Sequence, residues 1–180
     1  MQINKIEVKN ISYYKRGSEE TPCYNATVYI NGKKAIEVSN DGHGGCDRQD
    51  TYPEMLDFHP TKNILTLANE WCVKTFGQET WEYNGKTYST DLDLEHYCHQ
   101  ELYNWLDAKL LKKELKSKYL CIEKEKDEEF IVSFKRTLPF TKMKDDAFQK
   151  HLSQKYPHMA DKCLNFLPFD QALELFKEYT

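Results

Sequence analysis

The sequence has no CxxC pair, no long apolar run, and none of the short motifs that mark common catalytic sites. Its six cysteines, at 23, 46, 72, 98, 121 and 163, stand singly. That scatter excludes a zinc-ribbon or thioredoxin-like spacing and suits small buried hydrophobes in a reducing compartment. No stretch approaches the roughly eighteen consecutive apolar residues of a membrane helix. Met1 to Asn10 lacks the apolar centre of a signal peptide, so a cytoplasmic protein with no membrane partner is expected. There is no GxSxG elbow, no HExxH and no P-loop, and the glycines do not fit GxGxxG followed by a helix. A basic excess is missing too: 25 Lys and Arg against 29 Asp and Glu give a net charge of −4. This argues against non-specific duplex DNA binding, which relies on lysine and arginine at phosphates.

What the chain does have is a globular composition. Its 180 residues are 39% hydrophobic and 30% charged, which fits one soluble folded domain, 1–180. Twelve tyrosines, nine phenylalanines and three tryptophans make it rich in aromatics, and buried tyrosine hydroxyls will need partners.

Periodicity predicts the elements. Residues 3–14 read as a strand. Tyr24, Ala26, Val28 and Ile30 alternate with polar residues in a second strand, Asn31-Gly32 marks a turn, and Ala35 to Ser39 returns. The apolar faces agree if Val28 lies opposite Ile36 and Ala26 opposite Val38, which calls for an odd number of loop residues. Residues 47–60 read as irregular. A helix capped by Thr61 follows, with Ile64, Leu65, Leu67, Ala68, Trp71, Cys72 and Phe76 as its core-facing residues and Gly77 at its end. Trp81 to Tyr88 is a second Asn-Gly hairpin. Thr90 with Asp93 predicts the cap of a long helix over 91–117, with Leu94, Cys98, Leu102, Trp105 and Leu106 on one face, Leu110, Leu111 and Leu115 drifting to another, and lysine-rich last turns. Strands at 119–123 and 130–135, an acidic turn at 124–129, a helix at 144–156, a strand at 163–167 and a closing helix complete a C-terminal ββαβα segment. The fold class is α+β: an antiparallel sheet with an N-terminal hairpin packed on helices, and a subdomain seam near 107–129.

The candidate site is the loop Asn40, Asp41, Gly42, His43, Gly44, Gly45, Cys46, Asp47. Three of the seven glycines fall within four of its residues, beside side chains that bind metals or anions. Glycine permits left-handed backbone and close approach to a ligand. A run of backbone amides there can cradle an anion, and Asn40 and Asp41 can equally turn the chain by bonding their own backbone. Asp41 with His43 is a conceivable acid–base pair. His43, Cys46, His96 and His99 are candidate metal ligands, His96 and His99 being spaced to share a helix face. Cys98 falls on the apolar face instead. The lysines at the end of the long helix are countered by Glu114, Glu123, Glu125 and 127–129, and read as a solvated face.

The segment Cys23 to Tyr29 with its hairpin, Ser39-Asn-Asp-Gly-His-Gly-Gly-Cys-Asp47 and Leu164-Asn-Phe-Leu-Pro-Phe-Asp-Gln-Ala-Leu173 resemble a group of uncharacterised phage and prophage proteins. These stretches cover about a quarter of the chain, in the same order, and residues 78–90 are additional to the group's pattern. The resemblance implies a mobile-element origin and a host-cell location, and it implies no fold, cofactor or catalytic residue. With catalytic signatures lacking, the expected function is a non-enzymatic protein, without a cofactor, that binds a host or viral macromolecule. Anti-defence activity is one form of this, a protein is the favoured partner, and nucleic acid is less favoured. The alternative is a small enzyme or a metal- or anion-binding protein that uses loop 40–47.

Overall fold

Asn31 and Gly32 both take left-handed backbone, with φ of 51° and 80°. A two-residue turn of that kind matches the right-handed twist of paired strands, and the first sheet grows from it. In this computed structural model, which describes residues 2–125, 128–135 and 145–180, four strands form an antiparallel meander in the order β1-β2-β3-β4. They are β1 (Ile6–Tyr13), β2 (Tyr24–Ile30), β3 (Lys33–Asn40) and β4 (Arg48–Thr51). Tyr24, Ala26, Val28 and Ile30 are all buried, as their alternation requires.

Val28 faces Ile36 and Ala26 faces Val38, the expected register. The odd residue lies elsewhere than expected. The turn keeps two residues, and the register shifts between Val28 and Tyr29, which pairs with Lys34, leaving Ala35 as a bulge. The Ala35 carbonyl is not wasted, because it accepts the Tyr52 amide at 2.9 Å just beyond β4. β4 itself lies in a stretch that reads as irregular: Arg48, Gln49, Asp50 and Thr51 have no apolar alternation, and pairing to β3 makes the strand.

The chain divides into two compact units, Met1–Tyr103 and Asn104–Thr180, a boundary that falls before the seam expected at 107–129. In the first unit, α1 (Ile64–Phe76) buries Ile64, Ala68 and Cys72, while Leu65, Leu67 and Trp71 are half-buried and Phe76, expected inward, is exposed; Gly77 ends it with φ 83°. Its cap is Asn63 rather than Thr61, since the Asn63 side chain accepts the Thr66 amide at 2.7 Å. The hairpin β5 (Gln78–Tyr83) and β6 (Lys86–Asp91) turns at Asn84-Gly85. Thr90 belongs to β6, so it caps nothing. Asp93 accepts the His96 amide at 3.1 Å and starts α2 (Leu94–Ser117). Leu94, Cys98 and Leu102 are fully buried, and Asn69 of α1 accepts the Leu94 amide at 3.1 Å.

The second unit is organised around β7 (Lys118–Glu125), paired with β8 (Glu128–Lys135). Because side chains alternate across a strand, β7 is buried on both faces. Leu120 and Ile122 join Leu111, Leu164, Ala172 and Phe176. Tyr119 and Cys121 join Phe148, Leu152, Met159 and Cys163. Leu111 comes from α2 and Cys163 and Leu164 from the stretch before the last helix; the others come from α3 (Asp145–Lys155), α4 (Pro157–Ala160) and α5 (Phe169–Glu178). Periodicity turns Phe148, Leu152, Ala172, Leu173, Phe176 and Tyr179 inward; Phe148, Leu152, Ala172 and Phe176 are buried, and Leu173 and Tyr179 are half-buried. The strand expected at 163–167 is instead a single bridge, Cys121 to Cys163, followed by a 3-10 turn at Leu164–Phe166. The reason is Asn165, whose side chain does the work of strand pairing. It accepts the Leu120 amide at 2.9 Å and donates to the carbonyls of Lys118 at 2.9 Å and Leu115 at 3.3 Å. Part of the acidic turn, residues 126–127, and Lys144 lie outside the described residues.

Replacing Asn165 with Ala removes these three bonds, together with the longer one from the Cys163 thiol at 4.0 Å, and strands backbone groups at the α2–β7 junction. Asn165→Ala is expected to lower stability by about 1–3 kcal/mol in urea unfolding, with the slope unchanged.

Candidate functional site

The glycine-rich loop joins the ends of β3 and β4, two paired neighbours, so its stem residues Asn40 and Asp47 are brought face to face. Both are buried, unusually for polar side chains. The Asn40 amide donates to Asp47 Oδ1 at 3.0 Å and to the Gly45 carbonyl at 3.3 Å. Its carbonyl oxygen accepts the Gly42 amide at 2.9 Å and the Thr21 hydroxyl at 2.7 Å. Asn40 thus closes the loop from inside.

Asp47 is the hub. Its side chain has no solvent exposure. The Tyr24 hydroxyl donates to Oδ2 in a short hydrogen bond, and His99 Nε2 lies 3.2 Å from Oδ1. The Asp47 amide donates to Glu95 Oε1 at 3.1 Å. Glu95 and His99 are one helical turn apart on α2 and so reach the same spot. The rings of Tyr24 and His99 meet edge to face, with centroids 5.8 Å apart.

These contacts set the charge states. Burial alone pushes the Asp47 carboxyl upward, but hydrogen bonds from His99, Tyr24 and Asn40 outweigh it and hold the group below its ordinary value of 3.8. The bond to Asp47 raises His99 above its ordinary 6.5, against an opposing contribution from burial. A lowered acid contributes stability above 3.8 that is lost as pH falls through its folded value. A raised imidazole contributes stability below 6.5 that is lost as pH rises through its folded value. The pair therefore stabilises the fold most between those two pH values. Burial, then Asp47, pushes the Tyr24 phenol far above the usual tyrosine range, so it stays a donor.

The glycines serve packing. Gly42 has φ 90°, and a Cβ there would lie 1.9 Å from the Gly17 carbonyl oxygen. The Gly42 carbonyl accepts the amides of Glu19 and Glu20 at 3.0 Å and of Thr21 at 3.3 Å. The amides of Gly42, His43 and Gly44 are all donated to protein oxygens: Asn40 Oδ1, Asp41 Oδ1 and Thr21 Oγ1. The turn is built from its own side chains and the 17–21 segment.

Of the expected ligands, His99 joins Asp47, and His43, Cys46 and His96 do not. His43 is exposed and its ring meets Glu19 at 3.3 Å, while the Asp41 carboxylate accepts the His43 backbone amide rather than meeting its ring. His96 pairs with Asp93 at 2.8 Å, and Cys46 is exposed. Among the described residues, the His, Cys, Asp and Glu side chains that converge closely enough for one ion are Asp47, Glu95 and His99, with ligand atoms within 4.8 Å of one another. Sequence reading missed Glu95 and Tyr24. The signal for Glu95 was Glu-x-x-x-His at the start of a helix, and Tyr24 was hidden as one more inward residue of β2. Two buried thiols of this unit are held protonated. Burial pushes Cys72 up to about 12 and Cys98, where Asp47 adds to the effect, well beyond the ordinary thiol range. On the second unit, Trp105 and Lys109, Lys112, Lys113 and Lys116 line a shallow groove of about 460 Å³.

Gly45 also has positive φ, 84°, but a Cβ there would meet nothing within 4 Å. Gly45→Ala should therefore cost only left-handed strain, about 1–2 kcal/mol. Gly42→Ala must also displace the 17–21 segment, and its midpoint in chemical unfolding should fall clearly further than that of Gly45→Ala.

No family model matches the chain, and neither a curated protein nor a solved structure does.

Proposed function

We propose that this chain is a non-enzymatic binding protein of a phage or mobile element that engages a host or viral protein, with anti-defence activity as one form of that role. The observation that carries the reading is the β5–β6 hairpin. Trp81 lies opposite Tyr88 and Tyr83 opposite Lys86, so three aromatic rings share one face. The alternate positions Thr80, Glu82, Thr87 and Ser89 make the other face polar. Both faces are open: Trp81 is 47%, Tyr83 63% and Tyr88 42% exposed. Trp81 and Tyr88 stack on each other, with centroids 5.9 Å apart, rather than on a core. A lone two-stranded hairpin is marginal in water, and an aromatic face without a core beneath it suits a partner surface.

The hairpin's foot adds shape. Phe76 stacks on Tyr97 at 5.0 Å, and with Gln78, Glu79, Leu92 and His96 they line a groove of about 480 Å³ that admits an apolar side chain. Charge supports a protein partner over nucleic acid, since Glu79, Glu82 and Asp91 outnumber Lys86 on this hairpin. A neutral or basic protein surface with an apolar anchor fits it.

A photo-crosslinking residue in place of Tyr83 tests this in host cells. The expected result is a discrete crosslinked protein, competed away by excess unmodified protein but not by a Trp81→Ser, Tyr83→Ser, Tyr88→Ser variant that keeps the parent melting temperature. Crosslinks only to nucleic acid, or a protein crosslink that the variant competes equally well, would overturn the reading.

A further inference from the structure

The Asp47 cluster is poor in positive charge. Among the described residues, no Lys or Arg forms an ion pair with Asp47 or Glu95, and His99 is the only cationic partner of Asp47. The two carboxylates are nevertheless held together, because the Asp47 backbone amide donates to Glu95 while the Asp47 side chain turns toward His99. Such an arrangement concentrates negative charge beside one nitrogen donor in a partly dry site, where charge interactions are stronger than in water.

From this geometry we infer that Asp47, Glu95 and His99 form a binding site for one divalent transition-metal ion, of the zinc or manganese class. This goes beyond the binding role proposed for the hairpin and does not rest on it. Three observations support it. The 3.2 Å between Asp47 Oδ1 and His99 Nε2 is already the spacing of two ligands on one ion, since bonds of about 2.0–2.2 Å at 90–109° place ligand atoms about 2.9–3.5 Å apart. Glu95 lies within 4.8 Å of both, so a side-chain rotation completes the set. The surroundings already orient the carboxylate: Tyr24 holds Oδ2 and Asn40 holds Oδ1, as outer hydrogen bonds do at metal centres.

The ion has a way in. Asp47 is sealed, but His99 is 29% exposed and Glu95 is half-buried, so the site opens on the α2 side. The proton between His99 Nε2 and Asp47 now stands where the ion would lie. One imidazole with two carboxylates selects zinc or manganese over magnesium and calcium, which prefer oxygen-only shells. Three protein ligands leave further positions for water. A bound ion would join the end of the glycine loop to α2 and so fasten the loop to the helix.

The experiment is calorimetric titration of the full, chelator-treated chain with ZnCl₂ and MnCl₂, with metal content measured after gel filtration. One equivalent of either metal should bind and raise the melting temperature, while MgCl₂ should give no saturable binding. His99→Ala and Glu95→Gln should weaken binding at least about tenfold. Glu95→Gln keeps an acceptor for the Asp47 amide and so preserves the fold. His43→Ala and Cys46→Ser should bind like the parent. Three results would each overturn the site: no saturable binding of either metal, binding unchanged in Glu95→Gln, or equal binding of magnesium.

Discussion

The first unit depends on a buried carboxylate. Asp47 has no exposed side-chain surface, and an ionised carboxylate in such a place is tolerated only when its lone pairs are filled. Tyr24, Asn40 and His99 fill them, one from β2, one from the end of β3 and one from α2. Each donor is fixed by something else. Tyr24 is an inward position of a strand whose alternation is set by Val28 and Ile30. Asn40 is anchored by the turn it closes. His99 follows the buried Cys98 on a helix that Leu94 and Leu102 hold to the core. The carboxylate is where those constraints meet, and its charge follows from them.

This changes what the glycine loop is for. Its three glycines are explained by close backbone packing and left-handed angles, and the amides of Gly42, His43 and Gly44 are used within the protein. The side chain with chemical potential sits at the loop's end, pointing inward. The exposed His43 and Cys46 lie outside that cluster, and the partner of interest comes from a helix about fifty residues later in the chain. The aromatic face of the β5–β6 hairpin is a separate feature of the same unit, its rings exposed where the Asp47 side chain is buried.

Much of the fold could be read from the residues because periodicity and Asn-Gly turns are local. The Val28–Ile36 register, the burial of Ile64, Ala68 and Cys72, and the two Asn-Gly hairpins all rest on short-range rules. Where sequence reading failed, a distant group supplied what the local pattern lacked. β4 has no apolar alternation and exists because β3 offers it a partner. Asn165 satisfies β7 with its side chain, so a stretch that looks like a strand folds as a turn. The site was half legible for the same reason. Asp47 and His99 were candidates by residue type, but only the packing of α2 shows that they meet, with Glu95 beside them.

The central claim, that a buried ionised Asp47 organises this end of the molecule, is tested most directly by following the His99 ring through a pH titration by NMR. The metal-free parent is compared with Asp47→Asn. The carboxylate stabilises the imidazolium, so the parent midpoint should lie above 6.5, and Asp47→Asn should lower it, because burial is then opposed only by the smaller pull of Glu95 and Asp93. A parent midpoint at or below 6.5, or one that does not move in Asp47→Asn, would contradict the account.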